Sequence, residues 1–543
     1  MNFISSIINF YEDTNINTKE KYIDCFKLPI EYLESTSVQL LNNNIINDLE
    51  LVKTKPPLVG DSNKLTNENS NVCDNDAYNL YYHVFNPKNV FEKNIINRWS
   101  KYYTTNEEFL VETQLLLQNY TTFKKVEFSE TKTTLPDDIY KTCETVIYDH
   151  TFINNYQYID IPLLSKFNNN SLCLQALSIY NLSSPVLSLL IPILFLLLPF
   201  FIIKLQGHKI TFGLYFEHLK NVFSNHIIGQ MFSSFSNTNF TNKIYLLFSF
   251  GFYIFQMYLN FTSCIKYFTN IKYIHDTLYN LKQYILDSLN KYNNFLKYSK
   301  DLINYKLFND AINKNISIFT YYLNELNKIT PYALNINKLI ELGQLMKCFY
   351  CLNKNDNIIS SLYFSFGFNG YLKNLETLQN FISTKVMNYC SYNKSKPTSF
   401  DNSYFANLNI IETCEETCEE TCEETCEETC EETCEETCEE TCEVIKTTTT
   451  KNKNSKNKIV KNSYSLDKNI IITGPNASGK TTLLKSTLFN IILSQQIGCG
   501  FFNSASVKIY DYIHCYINIP DTGGRDSLYQ AEARQCKNIL ETI

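Results

Sequence analysis

A stretch close to the C-terminal end limits most strongly what this chain can fold into. Asn469-Ile-Ile-Ile472 is a short β-branched run. It is followed by Thr473-Gly-Pro-Asn-Ala-Ser-Gly-Lys-Thr-Thr482, and Leu483–Leu493 then has helical character. Strand, G-x-x-x-x-G-K-[ST] loop and helix in that order form a phosphate-binding unit. Gly474 and Gly479 let the backbone curl so that its N–H groups face an anion at a helix N-terminus. Lys480 is placed to reach β- and γ-phosphates, and the Thr481 hydroxyl to bind Mg²⁺. The chain has only 14 glycines in 543 residues. Two of them falling at these positions, in this context, argue against an unused glycine turn.

The rest of the composition bounds the class without naming a chemistry. Apolar residues make up 44% and charged residues 19%, which excludes wholesale disorder and fibrous repeats. The length allows two to four domains. Arg98, Arg525 and Arg534 are the only arginines among 48 basic residues. With the abundance of Asn, Ile and Tyr, this reads as the coding habit of an AT-rich genome. The formal charge of −7 is set by one tract: Glu412–Glu443 holds 16 glutamates, and without it 48 basic face 39 acidic residues. A mildly basic body is compatible with nucleic acid. Eight of the 19 cysteines lie in the same tract and the others are scattered, so no disulfide scaffold is expected and a reducing, intracellular compartment is the default. Met1–Leu28 mixes Glu, Asp and Asn into its apolar stretches and carries no secretory signal.

Along the chain, residues 1–180 read as short mixed elements of unassigned fold, broken at Lys53–Pro57 and Asp61–Asp76. Residues 181–264 read as a hydrophobic helical hairpin. Its first arm, Pro185–Ile203, is charge-free, and as a helix it spans roughly 28 Å, about the hydrocarbon thickness of a bilayer. A buried core helix is the other reading. Ile244–Phe261 is a second candidate span, interrupted by Gln256 and Asn260 and rich in aromatics that suit an interface. From 265 to 405 a long-helix region follows. Cys264, Phe268, Ile271, Ile274, Leu278, Leu281 and Ile285 recur at 3/4 spacing and continue through Leu289 and Leu296, as in a lever arm or a plain helical bundle. Cys348-Phe-Tyr-Cys351 has C-x-x-C spacing, but one helix face gives the same spacing, and no second pair or His follows at zinc-site distance. Residues 406–458 form a linker around the Thr-Cys-Glu-Glu repeat, whose Glu–Glu repulsion at i,i+4 opposes a helix; a thiol-rich metal site there is the lesser reading.

The wording of the phosphate loop, Gly474-Pro-Asn-Ala-Ser-Gly-Lys-Thr-Thr482, resembles the ATPase domain of the MutS mismatch-repair family. Gln496-Ile-Gly498, Phe501 and Ala505 resemble that family's segment after the first ATPase helix. Asp521, Gly524, Ser527, Tyr529, Ala531 and Glu532 resemble its next block, with Asp526 as one extra residue before Ser527. The likeness covers about residues 459–543, and more weakly 262–382, where the helices are similar to the family's core and lever. The membrane-like segment is similar to the membrane-associated MutS-related branch, and the composition suits a relative from a large DNA virus, in a host-cell or virion compartment.

The resemblance implies a mixed α and α/β fold: an α-helical N-terminal and core/lever region with a membrane-like hairpin, and a partial P-loop NTPase domain at 459–543. It implies ATP and Mg²⁺ as cofactors, bound by Gly474, Pro475, Asn476, Ala477, Ser478, Gly479, Lys480, Thr481 and Thr482, with Thr481 on the metal. Asn476 would lie beside the γ-phosphate, Ser527 would reach the nucleotide of a dimer partner, and Glu532 would be a hinge or packing residue. Arg525 and Arg534 stand near the site, where a surface salt bridge is the plainer role for either. In the family an Asp-Glu-terminated strand, the Walker B motif, follows some tens of residues after the place of Glu532, and the sequence to Ile543 does not contain it. An ATPase would then need a complementing C-terminal fragment, and ATP binding is expected ahead of hydrolysis. Phe10-Tyr-Glu12 spells the family's mismatch-reading tripeptide by coincidence. The expected function is an ATP-switched dimeric clamp on double-stranded DNA, mismatched DNA included, in repair or recombination. The rivals are a membrane-tethered NTP-dependent scaffold and an inactive fragment.

Overall fold

In the computed structural model, described for residues 24–52, 79–124, 136–205, 240–332, 338–405, 459–517 and 528–542 with Tyr22 and a few positions between 211 and 220, the chain is mostly helical with a small mixed sheet. The N-terminal part holds β1 (Val38–Leu40), α1 (Asn43–Asp48), α2 (Leu80–Phe85), α3 (Val90–Trp99), β2 (Tyr102–Thr104) and α4 (Glu107–Lys124). A helical series follows: α5 (Pro136–Ile147), α6 (Phe152–Asn155), α7 (Ser171–Leu205), α8 (Phe240–Ser299), α9 (Lys306–Leu326), α10 (Lys338–Lys354) and α11 (Asp356–Ser383). Last come β3 (Asn388–Tyr392), β4 (Ser399–Ser403), β5 (Asn462–Ser465), α12 (Lys480–Ile497), β6 (Cys499–Gly500), β7 (Ser504–Val507) and α13 (Leu528–Thr542).

The described residues fall into two compact units. The first draws on Lys132–Leu289 and Ile316–Ser361, the second on Asn17–Thr131, Asn290–Asn315 and Leu362–Ile543. The borders expected at 180/181 and 264/265 do not coincide with this division. α7 begins at Ser171, α8 runs unbroken through 264, and residues 24–124 belong with the second unit instead of forming a region of their own. The reason is aromatic: Phe26, Phe91 and Trp99 take ring partners on distant segments of that unit (Phe26 with Phe308 and Phe368, Phe91 with Phe366, Trp99 with Tyr371). The Thr-Cys-Glu-Glu tract, Lys53–Pro57, Asp61–Asp76 and Phe10–Glu12 lie outside the described residues.

α8 carries the most regular packing pattern. Tyr267, Ile271, Ile274, Leu278, Leu281, Ile285, Ser288, Tyr292, Phe295 and Ser299 are each at most 5% exposed and alternate four- and three-residue steps without a break. That is a heptad seam, the sequence form of a helix that keeps one face against its neighbours over many turns. At both ends the seam departs from the sequence expectation: Leu289 and Leu296 are half-buried, with Ser288 and Phe295 one residue earlier in the seam, and the N-terminal end is likewise displaced by one residue. Phe268 is largely exposed and Tyr267 takes the buried place, because its hydroxyl bonds the Ser178 hydroxyl on α7 (2.7 Å).

In the first unit, α10 meets the start of α7 at Gly343, where a Cβ would lie 2.0 Å from the Ser171 carbonyl oxygen. Gln175 bridges the same contact, accepting from Gly343 N–H (2.7 Å) and donating to the Leu339 carbonyl. Cys348 and Cys351 sit on α10. Burial pushes the Cys348 thiol up to about 12, and Tyr322 donates to the Cys348 carbonyl (2.9 Å). A thiol so far from its thiolate is an inert packing group, and among the described residues no cluster of three or more His, Cys, Asp or Glu could hold a metal.

The second unit is built around aromatic rings. Phe295 packs on Phe308, Phe368 and Tyr371, and Tyr371 stacks on Trp99. Trp99 stacks on Phe85, and Tyr81 joins Phe489 on α12. Its five-stranded sheet has the order β5-β4-β7-β3-β6. Only β3 and β7 pair in parallel, through Cys390↔Ala505, Ser391↔Ser506 and Tyr392↔Val507; the other neighbours are antiparallel.

Candidate phosphate site and its support

The loop expected to hold phosphate leads from an irregular segment into α12. Asn469–Ile472, read from the sequence as a strand, has no regular secondary structure and pairs with no described strand, and Ile471 is 89% exposed. A phosphate-loop strand is ordinarily buried on both faces within a parallel sheet. Here the strand after the helix, β6, goes instead to the antiparallel edge of β3, so the run has no lateral partner. The α/β character of residues 459–517 is thus carried by the small mixed sheet and α12.

Past the loop the local geometry follows the motif. α12 starts at Lys480, immediately after Gly479, whose φ of +87° is a left-handed conformation that glycine adopts without a side-chain penalty. Ala477 is also left-handed, at +63°. The Leu483 N–H to Gly479 carbonyl bond (2.9 Å) is the first of the helix, so the amides of Lys480, Thr481 and Thr482 precede the ladder at its positive end. Gly474 lets Ser478 fold inward: a Cβ there would meet Ser478 Oγ at 2.9 Å. Lys480 Nζ donates to the carbonyls of Gly474 (2.8 Å) and Pro475 (2.6 Å). Thr473 to Gly479, Thr481 and Thr482 are exposed and Lys480 is half-buried. This donor set (amides at a helix start, a primary ammonium, two hydroxyls) fits a magnesium polyphosphate, and a charged acceptor would bind the ammonium more strongly than two neutral carbonyls do.

The other end of α12 is locked. From Phe489 to Ile497 every residue is buried, including Asn490, Ser494, Gln495 and Gln496. Gln496 donates to the carbonyls of Trp99 and Tyr102 (2.7 Å each) and accepts from the Tyr81 hydroxyl (2.5 Å). Gln495 donates to the Thr104 (3.2 Å) and Tyr510 (2.9 Å) carbonyls and accepts from Tyr510 N–H (3.0 Å). Asn490 accepts from Phe501 N–H (2.7 Å) and reaches Ser403 and Tyr404. Gly498 ends the helix at φ +75°, and Gln114 packs where its Cβ would stand, donating to the carbonyls of Gly498 (2.7 Å) and Cys390 (2.8 Å). Gln496, Gly498 and Phe501, picked from the sequence by resemblance, are therefore buried fastenings of the helix, and Ala505, also picked and also buried, pairs with Cys390 and Phe400 on the sheet. Tyr81, Trp99 and Gln114 were missed, because nothing local marks a residue whose partner lies hundreds of positions away.

The second block is only partly described. Asp521, Gly524, Arg525, Asp526 and Ser527 lie outside the described residues. α13 follows, with Tyr529 and Arg534 exposed and Glu532 half-buried. No protein-family model and no curated protein matches the chain.

Proposed function

We propose that residues 473–482 bind ATP·Mg²⁺ and that the chain acts as a MutS-like, nucleotide-switched clamp on double-stranded DNA, working as a dimer. The observation that carries the reading is the onset of α12: a left-handed glycine, then a lysine and two threonines whose amides head the helix. Lys480 would exchange the carbonyls of Gly474 and Pro475 for phosphate oxygens, and Thr481 would contribute its hydroxyl to Mg²⁺. Asn476, exposed on the loop, would stand beside the γ-phosphate, and Ser527 would reach the partner's nucleotide. Anchoring of α12 at Gln495 and Gln496 supports a switch role, because a fixed helix leaves the loop that meets the nucleotide as the part that moves. DNA contact would come mainly from lysines on phosphates, and would weaken steeply with salt.

The test is titration of a fluorescent ATP analogue with Mg²⁺. Lys480→Ala should weaken binding at least roughly tenfold, the loss of about one charge-assisted contact, and Thr481→Ala should blunt the Mg²⁺ dependence. Equal affinity in wild type and Lys480→Ala refutes the site. The clamp reading is tested on homoduplex and mismatched duplexes at several salt concentrations, and duplex affinity indifferent to ATP refutes it.

A further inference from the structure

Beyond the nucleotide reading, and on residues independent of it, the geometry points to α7 and α8 as a helical hairpin that crosses a lipid bilayer. The two helices meet where Cys264 Sγ contacts the Leu182 carbonyl (3.5 Å) and the Tyr267 hydroxyl bonds Ser178 Oγ (2.7 Å). Position rises on one helix as it falls on the other, so they run antiparallel. From that layer α7 continues to Leu205 and α8 extends back to Phe240. The free arms are thus about 23 and 24 residues, or ~34 and ~36 Å at 1.5 Å per residue, each enough to span a hydrocarbon core of about 30 Å.

Chemistry changes at the same layer. Toward the protein, α8 carries its buried seam from Tyr267 onward. Away from it, none of the described side chains between Phe240 and Lys266 is buried, although Ile244–Ile265 contains no charged residue. Phe248 (77% exposed), Phe252 (67%) and Phe255 (53%) face outward, and Leu259 and Ile265 are exposed as well. Ser171–Ile203 is also free of charge, with Leu197, Phe200 and Phe201 exposed and Ile203 buried near its distal end. Gln256 and Asn260, the polar side chains mid-arm, bond each other (3.4 Å), and the exposed apolar side chains around them form no single stripe for a protein partner, which suits lipid. Both arms acquire a lysine at the distal end, Lys204 and Lys243, where an ammonium reaches a headgroup layer. Two crossings return the chain to its starting side.

The experiment is flotation of the full chain with vesicles of phosphatidylcholine containing a minority of phosphatidylglycerol, followed by an alkaline carbonate wash. The wild-type chain should float and stay with the vesicles through the wash. Phe252→Lys with Phe255→Lys, mid-arm positions already exposed, should lower the bound-to-free ratio at least roughly tenfold while Trp99 emission stays unchanged. Phe252→Leu with Phe255→Leu should float as wild type does. A chain that remains monodisperse and unfloated without detergent, is stripped by carbonate, or floats equally well with both lysines overturns the proposal.

Discussion

Replacing Gln496 with methionine keeps the length and bulk of the side chain but removes its polar end. The carbonyls of Trp99 and Tyr102 then lose their donor and the Tyr81 hydroxyl loses its acceptor. Tyr81 is fully buried, Trp99 is 3% exposed and Gln496 itself 1%. Each buried polar group left without a partner costs about 1–3 kcal/mol, and the Tyr102 carbonyl belongs at the low end because that residue is half-buried. The expected destabilisation of the second unit is therefore roughly 3–6 kcal/mol. With a urea dependence of about 3 kcal/mol per molar, that moves the midpoint by ~1–2 M. The assay is built in: Trp99 is the only tryptophan, and it accepts one of the bonds being removed, so its emission follows the unfolding of this unit. Tyr81→Phe removes one bond of the three and should cost about 1–2 kcal/mol. A midpoint shift in Gln496→Met worth less than ~1 kcal/mol, or no larger than that of Tyr81→Phe, would refute the claim that this glutamine fastens the helix.

Two further outcomes concern the first unit. Gly343→Ala puts a methyl group against the Ser171 carbonyl and the backbone nitrogen of Gln175 at the start of α7; backbone must shift, so we expect a loss at or above the ~3 kcal/mol upper range of overpacking, read by calorimetry as a fall of roughly 6–12 °C in this unit's transition; an unchanged transition would show that α7 does not touch α10 there. His275 is held below its usual pKa by burial and by Lys338, against Glu341 and Asp276, with Tyr332 edge-on to its ring and Tyr279 and Lys282 lining the same cavity. The folded state favours the neutral imidazole, so its contribution is complete above about pH 6.5 and is lost as the pH falls below that value, where the unfolded chain takes up the proton first. Wild type should therefore lose more stability between pH 7.5 and 5.5 than His275→Gln, in urea titrations at the two pH values; equal losses would contradict this.

Legibility from sequence followed the range of the interactions. The 3/4 repeat on α8 was visible because a helix face is a local property, and Ile271 to Ile285 lie where the spacing puts them. Its first turn was misplaced because hydropathy prefers Phe268 to Tyr267, and only the Ser178 hydroxyl, on another helix, makes the tyrosine the better buried residue. The left-handed Gly479 and the helix start at Lys480 were legible because their conformation is set within ten residues. The strand at Asn469–Ile472 was not, since β-branched composition states a propensity and a strand exists only where a neighbour pairs with it. Residues 24–124 had no readable fold because Phe26, Phe91 and Trp99 are core only in the presence of Phe308, Phe366 and Tyr371.

α12 shows how these ranges combine at the candidate site. Its first turn is exposed and polar, and its last nine residues are buried on every side. Read as an amphipathic helix its sequence fails, because no single apolar stripe exists when the whole circumference is enclosed. The polar residues in the buried part are tolerated because each of Asn490, Gln495 and Gln496 reaches backbone carbonyls or amides that the surrounding loops leave unpaired. Enclosure and polarity together fix the helix along its axis as well as about it: a slide of one residue would break the bonds of both glutamines at once. The loop at the opposite end, by contrast, is held chiefly by its own lysine on two of its own carbonyls. A ligand that draws Lys480 away therefore rearranges the loop against a fixed helix, and the displacement falls on residues 469–479 instead of on the core.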